Sequence, residues 1–396
     1  MRNKRILYVS RAGIPTNAPG IRIYNIAKVL REIGYKVDFV CDQEDYISGD
    51  IIEKFDGFDY FYNKRGLNKN IWQSVKNINE LIFARRIFNR VKKHCERDKP
   101  YAIILYNDVH SLTKKLISYC KDNDIRLVAD VTEWYEKRSS NNIGDIIVPY
   151  LTDKRIKKLD RKVKNIISIS PYLHNYYSKL GCNSICVPPI FDIPKYLEIN
   201  KFNYYSDYVL NLVYAGSPGS GSKDILNPVL EAVEIINKTK IRVRLDLVGV
   251  DSNYLKDSWK DINFDNIAIV AHGRLPHSDT LDIIKKADFG VLLRHNKRYA
   301  KAGFSTKLAE CMASGVAMIC NSVGGAELII DSMNDGIVID QLNTREIVKT
   351  LRRLVELDKE KILSIRNNAY TRANIMFSNT NYIDKIGFFI QNLREV

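Results

Sequence analysis

At 396 residues, 45% apolar and 27% charged, the chain has the composition of a soluble globular protein with two or three domains, each large enough for its own core. No apolar run approaches the ~20 residues of a membrane-spanning helix, and the opening MRNKRILYVSRAG reads as a first strand rather than a secretory leader, because its apolar core stops after Val9 and Arg11 follows. The formal net charge is +15, and residues 1–186 carry +13 of it, with 34 Lys and Arg against 21 Asp and Glu.

Taken in order, residues 5–10 and 37–41 (VDFVC) are strand-like, and Ile23, Ile26, Ala27, Leu30 and Ile33 between them mark an amphipathic helix ending at Gly34. The loop from Arg11 to Arg22 is rich in Gly and Pro and sits where ligand loops of parallel sheets lie. It lacks GxGxxG spacing. Gly20 is placed to let a backbone approach a ligand, and Arg22 opens the helix. Residues 43–75 read as an irregular insertion in which Phe55, Phe58, Tyr60, Phe61, Tyr62 and Trp72 alternate with Lys64, Arg65 and Lys69. Such a mixture fits a membrane interface or an acceptor surface, and equally an insertion that buries its own aromatics.

A long helix (75–95), a strand (101–106), a helix (111–120) and a strand (125–129) follow. The two strands run into Asn107-Asp108-Val109-His110 and Asp130-Val131-Thr132-Glu133-Trp134, polar segments at the same sheet edge as Gly20. A helix over 153–164, a strand over 165–170, a helix from Pro171 to Gly181 and a short strand over 185–189 complete the first half. Three prolines in VPPIFDIP (187–194) mark a domain boundary.

The pattern then restarts with strand 211–215, a Gly/Ser-rich loop 216–224, helix 225–237, strand 244–249, strand 267–271, loop 272–277 and helix 278–287. Strand 289–293, the segment AGFSTKLAECMASG (302–315) and strand 316–320 form a βαβ crossover, followed by strand 336–339 and helix 344–357. The last helix, from about Thr380, is expected to lie back on the first domain. The expected division is 1–190, a linker 191–209, and 210–379.

Basic segments RRIFNRVKKHCERDK (85–99) and KRIKKLDRKVK (154–164) attract an anionic partner: nucleic acid, phospholipid headgroups or a pyrophosphate-linked substrate. They also fit a solvated lysine-rich face. No nucleic-acid module is recognisable, so nucleic acid is not expected as a partner. Seven cysteines without a CxxC pair read as reduced, structural thiols of a cytoplasmic protein, with Cys182, Cys186 and His174 as an alternative metal reading.

Three loops of the second half converge on one sheet edge. Gly216 to Lys223 offers backbone N–H groups and a cation to a diphosphate, without the GxxxxGK[ST] order of a P-loop. The backbone of Gly273, Arg274 and Leu275 can hold a flat ring. Ser305, Thr306 and Lys307 open a helix whose N-terminus suits phosphate, and Glu310 can accept hydrogen bonds from a diol. Lys307 and Glu310 at i,i+3 also fit a plain surface pair. Together these acceptors suggest a nucleotide diphosphate.

The order YAGSPG…KD (214–224), HGRLPH (272–277), KADFG (286–290) and GFSTKLAECMASG (303–315), with GIRIYNIA (20–27) and GYKV (34–37), resembles the retaining glycosyltransferases of family 4 (glycosyl transferases group 1). The resemblance implies the α/β GT-B architecture, two Rossmann-like domains facing each other across a cleft. It further implies a donor site in the second domain and an acceptor site in the first. The reaction would be transfer of a sugar with retention, without a metal or other cofactor, from a UDP- or GDP-sugar to a glycan or lipid-linked acceptor.

By resemblance, Lys223 and the amides of Phe304, Ser305, Thr306 and Lys307 hold the donor diphosphate beside Gly216 and Ser217. Glu310 takes the ribose, and Gly273, Arg274 and Leu275 the base. Lys223, Glu310, Glu133 and Asp130 are the catalytic candidates, with Gly20, Arg22 and His110 on the acceptor or sugar side. The chain departs from the family pattern at three places: Ala302 replaces a glutamate, Ser217 stands where an arginine is common, and Thr132 replaces a histidine. The setting implied is bacterial cell-surface polysaccharide biosynthesis, in the cytoplasm or peripherally on the inner face of the membrane, whose anionic surface the basic N-terminal domain would meet. An inactive glycosyltransferase-like partner subunit and a nucleotide-sugar epimerase share the same signals.

Overall fold

The computed structural model describes residues 4–42, 51–63, 76–107, 110–136, 144–195, 197, 209–216, 218, 223–258 and 268–396. Positions 64–75 (with Lys64, Arg65, Lys69 and Trp72), Asp108, Val109, Ser217, 219–222 and Ile267, to which the sequence reading assigns roles, lie outside these residues. The chain forms two compact units. The first comprises Met1–Asp192, Ala302–Phe304 and Asn379–Val396, and the second Ile193–Lys301 and Ser305–Ser378.

The first unit runs β1 (Arg5–Ser10), α1 (Ala18–Glu32), β2 (Lys36–Asp42), β3 (Ile51–Phe55), β4 (Phe58–Asn63), α2 (Lys76–Arg97), β5 (Ala102–Tyr106), α3 (His110–Asp122), β6 (Arg126–Val131), α4 (Gly144–Lys154), a π-helical turn (Arg155–Leu159), α5 (Asp160–Val163), β7 (Asn165–Ser168), α6 (Pro171–Lys179) and β8 (Asn183–Cys186). Its eight-stranded sheet has the order β3-β4-β2-β1-β5-β6-β7-β8. Neighbouring strands are parallel except for the antiparallel pair β3–β4. β1 shows why these strands read as unbroken apolar runs: Ile6 and Tyr8 enter one core and Leu7 and Val9 the other, so both faces are covered.

Part of the expected irregular insertion is instead a hairpin. Asp56 and Gly57 take positive φ (48° and 78°), the turn geometry of a tight hairpin. Phe58, Tyr60 and Tyr62 then point inward at period two, with the Tyr60 ring stacked 4.3 Å from Phe39.

The second unit runs β9 (Leu210–Ala215), α7 (Asn227–Asn237), β10 (Val243–Val248), α8 (Ser252–Ser258), β11 (Ile269–Gly273), α9 (His277–Lys285), β12 (Phe289–Leu292), α10 (Arg298–Ala302), α11 (Thr306–Ala313), β13 (Ala317–Asn321), β14 (Gly336–Ile339), α12 (Thr344–Val355) and α13 (Lys359–Phe377). The last residue of α10, Ala302, is counted with the first unit. The sheet is six-stranded and wholly parallel, in the order β11-β10-β9-β12-β13-β14.

Helix α13 has no counterpart among the expected elements. It buries Ile365, Ala369 and Ala373 together with Arg366, whose guanidinium donates to the carbonyls of Gly315 (2.9 Å) and Lys285 (3.2 Å) and lies 3.5 Å from the Asp288 carboxylate. After it, α14 (Ile383–Gln391) belongs to the first unit, where Ile386, Phe389 and Ile390 share a core with Ile23, Ile26 and Leu30 of α1. Among the described residues no helix is long and apolar enough to cross a membrane.

Candidate functional site

In the second unit β10 and β11 lie on one side of β9, and β12, β13 and β14 on the other. The winding therefore reverses between β9 and β12, and the loops leaving their carboxyl ends diverge around a crevice, the usual ligand position of an open α/β sheet. A charged cluster fills that place. Asp224, 3% exposed, accepts from Arg294 Nε through Oδ1 at 2.7 Å, and through Oδ2 from Lys307 Nζ and from the Tyr214 hydroxyl at 2.8 Å. Lys307 Nζ also donates to the Tyr214 hydroxyl at 3.2 Å and stands 4.5 Å from the centre of its ring. Burial pushes the Asp224 carboxyl up, but the two cations outweigh it and hold it at about 2. Burial likewise lowers the pKa of Lys307, against the pull of Asp224. Arg294 is fixed at its backbone by Asn321, whose amide accepts from Arg294 N and donates to Arg294 O, both at 2.9 Å.

Three strand ends interlock beside this cluster. Gly216 N donates to Val248 O (2.8 Å), Gly249 N to Gly273 O (2.6 Å) and Gly273 N to Val250 O (2.9 Å). A Cβ on Gly216 would run into the Lys307 side chain, and one on Gly249, at φ +85°, would lie 2.7 Å from Gly216 O. Only glycine meets both demands at Gly249. Gly249→Ala is expected to destabilise the protein by about 1–3 kcal/mol in denaturant unfolding, with the local strain as its source.

The start of α11 matches the sequence reading in position but not in partnership. Ser305 is its N-cap residue without a side-chain cap bond, and among the described residues its buried Oγ has no hydrogen-bond partner. An unpartnered hydroxyl and free N–H groups at a helix N-terminus are suited to an anion. Lys307 in the first turn has its charge met by Asp224 rather than sitting on a solvated surface. Glu310, one turn on, is raised by burial to about 7 despite Lys307.

Lys223 stands one residue before Asp224, and its carbonyl accepts from the Tyr299 hydroxyl at 3.1 Å. Lys307 and Arg294 are the cations in contact with the Asp224 carboxylate in the charged cluster. Thr306 is half-buried on the first turn of α11, and Leu275 is half-buried and Arg274 exposed after β11. Phe304 packs against the first unit's core, to which Ala302 also belongs, fully buried and with its carbonyl accepting from Ser170 Oγ at 2.6 Å. Arg294 was not singled out from sequence, and Asp224 entered only as the last residue of the YAGSPG…KD motif, with no role assigned. The signal available for Arg294 was its position directly after an apolar strand.

In the first unit the catalytic candidate Asp130 and the acceptor-side candidates Arg22 and Gly20 are engaged within the fold. Asp130 is fully buried and bound by Arg22, with contacts of 2.7 and 3.1 Å, and by the Tyr8 hydroxyl at 2.7 Å. Arg22, 4% exposed, also donates to Val187 O at 2.9 Å. The pair clamps α1, β6 and the segment after β8, so both side chains are occupied inside the fold rather than presented to a ligand. Gly20 likewise makes its close approach to its own loop: a Cβ there would lie 2.7 Å from Ile14 O, while its N–H caps α1 through Asn17 Oδ1 at 2.9 Å. Glu133 is half-buried after β6, beside Thr132, whose Oγ1 is 3.4 Å from the Tyr106 hydroxyl. His110 opens α3, its pKa lowered by burial and by Lys154, Lys114 and Arg155. All seven cysteines are free. His174 Nδ1 lies 3.2 Å from Ser184 Oγ, and among the described residues no group of three or more His, Cys, Asp or Glu is placed to hold a metal.

Residues 210–357 match the family model of glycosyl transferases group 1. An uncharacterized glycosyltransferase of Methanocaldococcus jannaschii is 24% identical over 214 residues, so the match spans 52% of this chain and about half (53%) of that relative. Among solved structures, sucrose-phosphate synthase from Thermosynechococcus elongatus superposes with a TM-score of 0.75 at 13% identity, covering 98% of this chain and 99% of that one. HepE of Anabaena, solved in complex with UDP, superposes with a TM-score of 0.64 at 14% identity, covering 98% and 100%. The fold is GT-B, and the matches support a glycosyltransferase.

Proposed function

We propose that the chain is a retaining glycosyltransferase that moves a sugar from a nucleotide-diphosphate sugar to a glycan or lipid-linked acceptor in polysaccharide biosynthesis. The observation that carries the reading is the Arg294–Asp224–Lys307 cluster at the winding reversal of the second sheet, beside the unpartnered Ser305 hydroxyl. A diphosphate seated at the start of α11 would meet Lys307, Arg294 and the helix N–H groups. These would stabilise the negative charge that grows on the leaving group. In this reading a phosphate oxygen of the donor takes the proton of the acceptor hydroxyl as the new glycosidic bond forms, so no protein base is required, and no metal is needed to neutralise the diphosphate. Glu310 would accept the ribose hydroxyls and the backbone of 273–275 would face the base. HepE, which shares the fold, was solved with UDP and with UDP-glucose, which makes uridine the first base to try.

The reading is tested by thermal unfolding of the full chain with UDP, GDP, ADP and dTDP. One of them at ~100 times its Kd should stabilise the fold by about 2.7 kcal/mol. A flat response to all four would overturn the donor assignment.

Glu310 gives the reading a pH signature. Its folded-state pKa of about 7 exceeds the free value near 4.5, so its contribution to stability is complete below pH 4.5 and is lost as pH rises through 7. Between those limits wild type should lose about 3 kcal/mol relative to Glu310→Gln in urea titrations. The ionised carboxylate is the form that accepts from both hydroxyls of a diol. Affinity for a nucleotide sugar, which has no titrating terminal phosphate, should therefore rise between pH 6 and 8 in wild type and stay level in Glu310→Gln, as read by calorimetry.

A further inference from the structure

A cavity of about 580 Å³ opens in the first unit between α3 and the helix formed by α4, the π turn and α5. Six cations line it, Lys114, Lys154, Lys157, Lys158, Arg161 and Lys162, above Leu159, with His110 at its edge. Lys154, Lys157, Lys158, Arg161 and Lys162 recur at i, i+3, i+4, i+7 and i+8, so one whole helix face is cationic. Among the described residues no carboxylate lines the cavity. Asp153, 2.8 Å from Lys157, offsets one of these charges. In the middle of this wall the helix widens into a π turn, where Asp160 N donates to Arg155 O, a local distortion that recurs at functional sites.

Convergent lysines are costly unless something negative joins them. Two like charges ~7 Å apart repel by about 0.6 kcal/mol even in water, and six of them form many such pairs. Burial first, and then Lys154, Lys114 and Arg155, lower the pKa of His110. A group carrying two or more phosphates would cancel the repulsion and gain several charge-assisted hydrogen bonds, and the volume lies within the ordinary range of ligand pockets.

We propose that this cavity is a binding site for a phosphate-dense ligand group, a diphosphate or a cluster of phosphate headgroups. The site uses side chains that the donor reading does not use and stands or falls separately from it. Two sources share the chemistry: a soluble oligophosphate or diphosphate-bearing substrate, and an anionic phospholipid surface. Ile146, Val148 and Tyr150, 43%, 47% and 62% exposed on α4 just ahead of the basic face, give the second source an apolar foothold.

Lysine acetylation of the full chain, read by mass spectrometry at about 0.15 M salt where long-range attraction is screened, localises the ligand. The arms are inorganic pyrophosphate, vesicles of phosphatidylglycerol with phosphatidylcholine, and vesicles of phosphatidylcholine alone. Roughly tenfold slower labelling of Lys154, Lys157, Lys158 and Lys162 is expected at ten times the Kd of the effective ligand, with exposed Lys92 and Lys93 of α2 unchanged. Protection by pyrophosphate identifies a soluble ligand, and protection by the anionic vesicles alone identifies a lipid surface. Unchanged labelling in every arm, equal slowing at Lys92 and Lys93, or protection by neutral vesicles would overturn the proposal.

Discussion

Replacing Lys307 by alanine should lower kcat/KM for sugar transfer by roughly 10²–10³-fold, equivalent to about 3–4 kcal/mol of lost leaving-group stabilisation. The fold should survive, because Asp224 keeps Arg294 and the Tyr214 hydroxyl when the lysine is gone. Steady-state kinetics beside thermal unfolding separates the two effects. Lys223→Ala measured in parallel decides which lysine meets the phosphates. The sequence pattern favours Lys223, at the end of the Gly/Ser loop, whereas the geometry favours Lys307, already in the cluster and against Gly216. Strong loss in Lys223→Ala with normal turnover in Lys307→Ala would return the role to the loop. Normal turnover in both would remove the assignment.

The largest stability loss is expected at Asp130. Asp130→Asn removes the charge that meets Arg22, which is only 4% exposed. Breaking a buried pair from one side costs about 3–5 kcal/mol, enough to lower the melting temperature by roughly 4–6 °C in a protein of this size. The double variant Arg22→Met/Asp130→Leu should recover most of that, since no unpaired charge remains. A double variant as unstable as Asp130→Asn would show that the hydrogen bonds to Val187 O and the Tyr8 hydroxyl carry the clamp. Turnover per folded molecule, near normal in the double variant, would separate this internal role from the catalytic role expected of Asp130 and the acceptor-side role expected of Arg22.

Much of the fold was legible because parallel strands covered on both faces leave continuous apolar runs, and helices between them end at glycines such as Gly34 and Gly315. The hairpin of β3 and β4 was not, since Glu53 and Lys54 before Phe55 and Asp59 between Phe58 and Tyr60 resemble an irregular insertion until the inward period of Phe58, Tyr60 and Tyr62 is seen. Helix α13 was missed because its buried face interrupts Ile362, Ile365 and Phe377 with Arg366, Ala369 and Ala373, so no unbroken apolar stripe marks it in the sequence. The candidate site divides in the same way. Ser305, Lys307 and Glu310 lie together in sequence and announce a helix start. Arg294 and Asp224 are 70 residues apart, and only the order of β9 beside β12 makes them partners. Gly20 was recognised as a close approach, but whether to a ligand or to its own loop is decided by Ile14, a matter of loop path that spacing does not encode.

The interlocked glycines at the ends of β9, β10 and β11 bear on attempts to re-engineer donor choice. Gly216, Gly249 and Gly273 are held to one another, or to the residue beside one another, by short backbone bonds, and Gly216 is pressed against Lys307. A loop grafted from a homologue after any one of these strands would have to reproduce its neighbours' backbone path to within a fraction of an ångström. The three loops therefore behave as a single transplantable cassette: chimeras exchanging all of them with the α11 start should fold and change base preference together, whereas single-loop chimeras should be recovered as unstable protein.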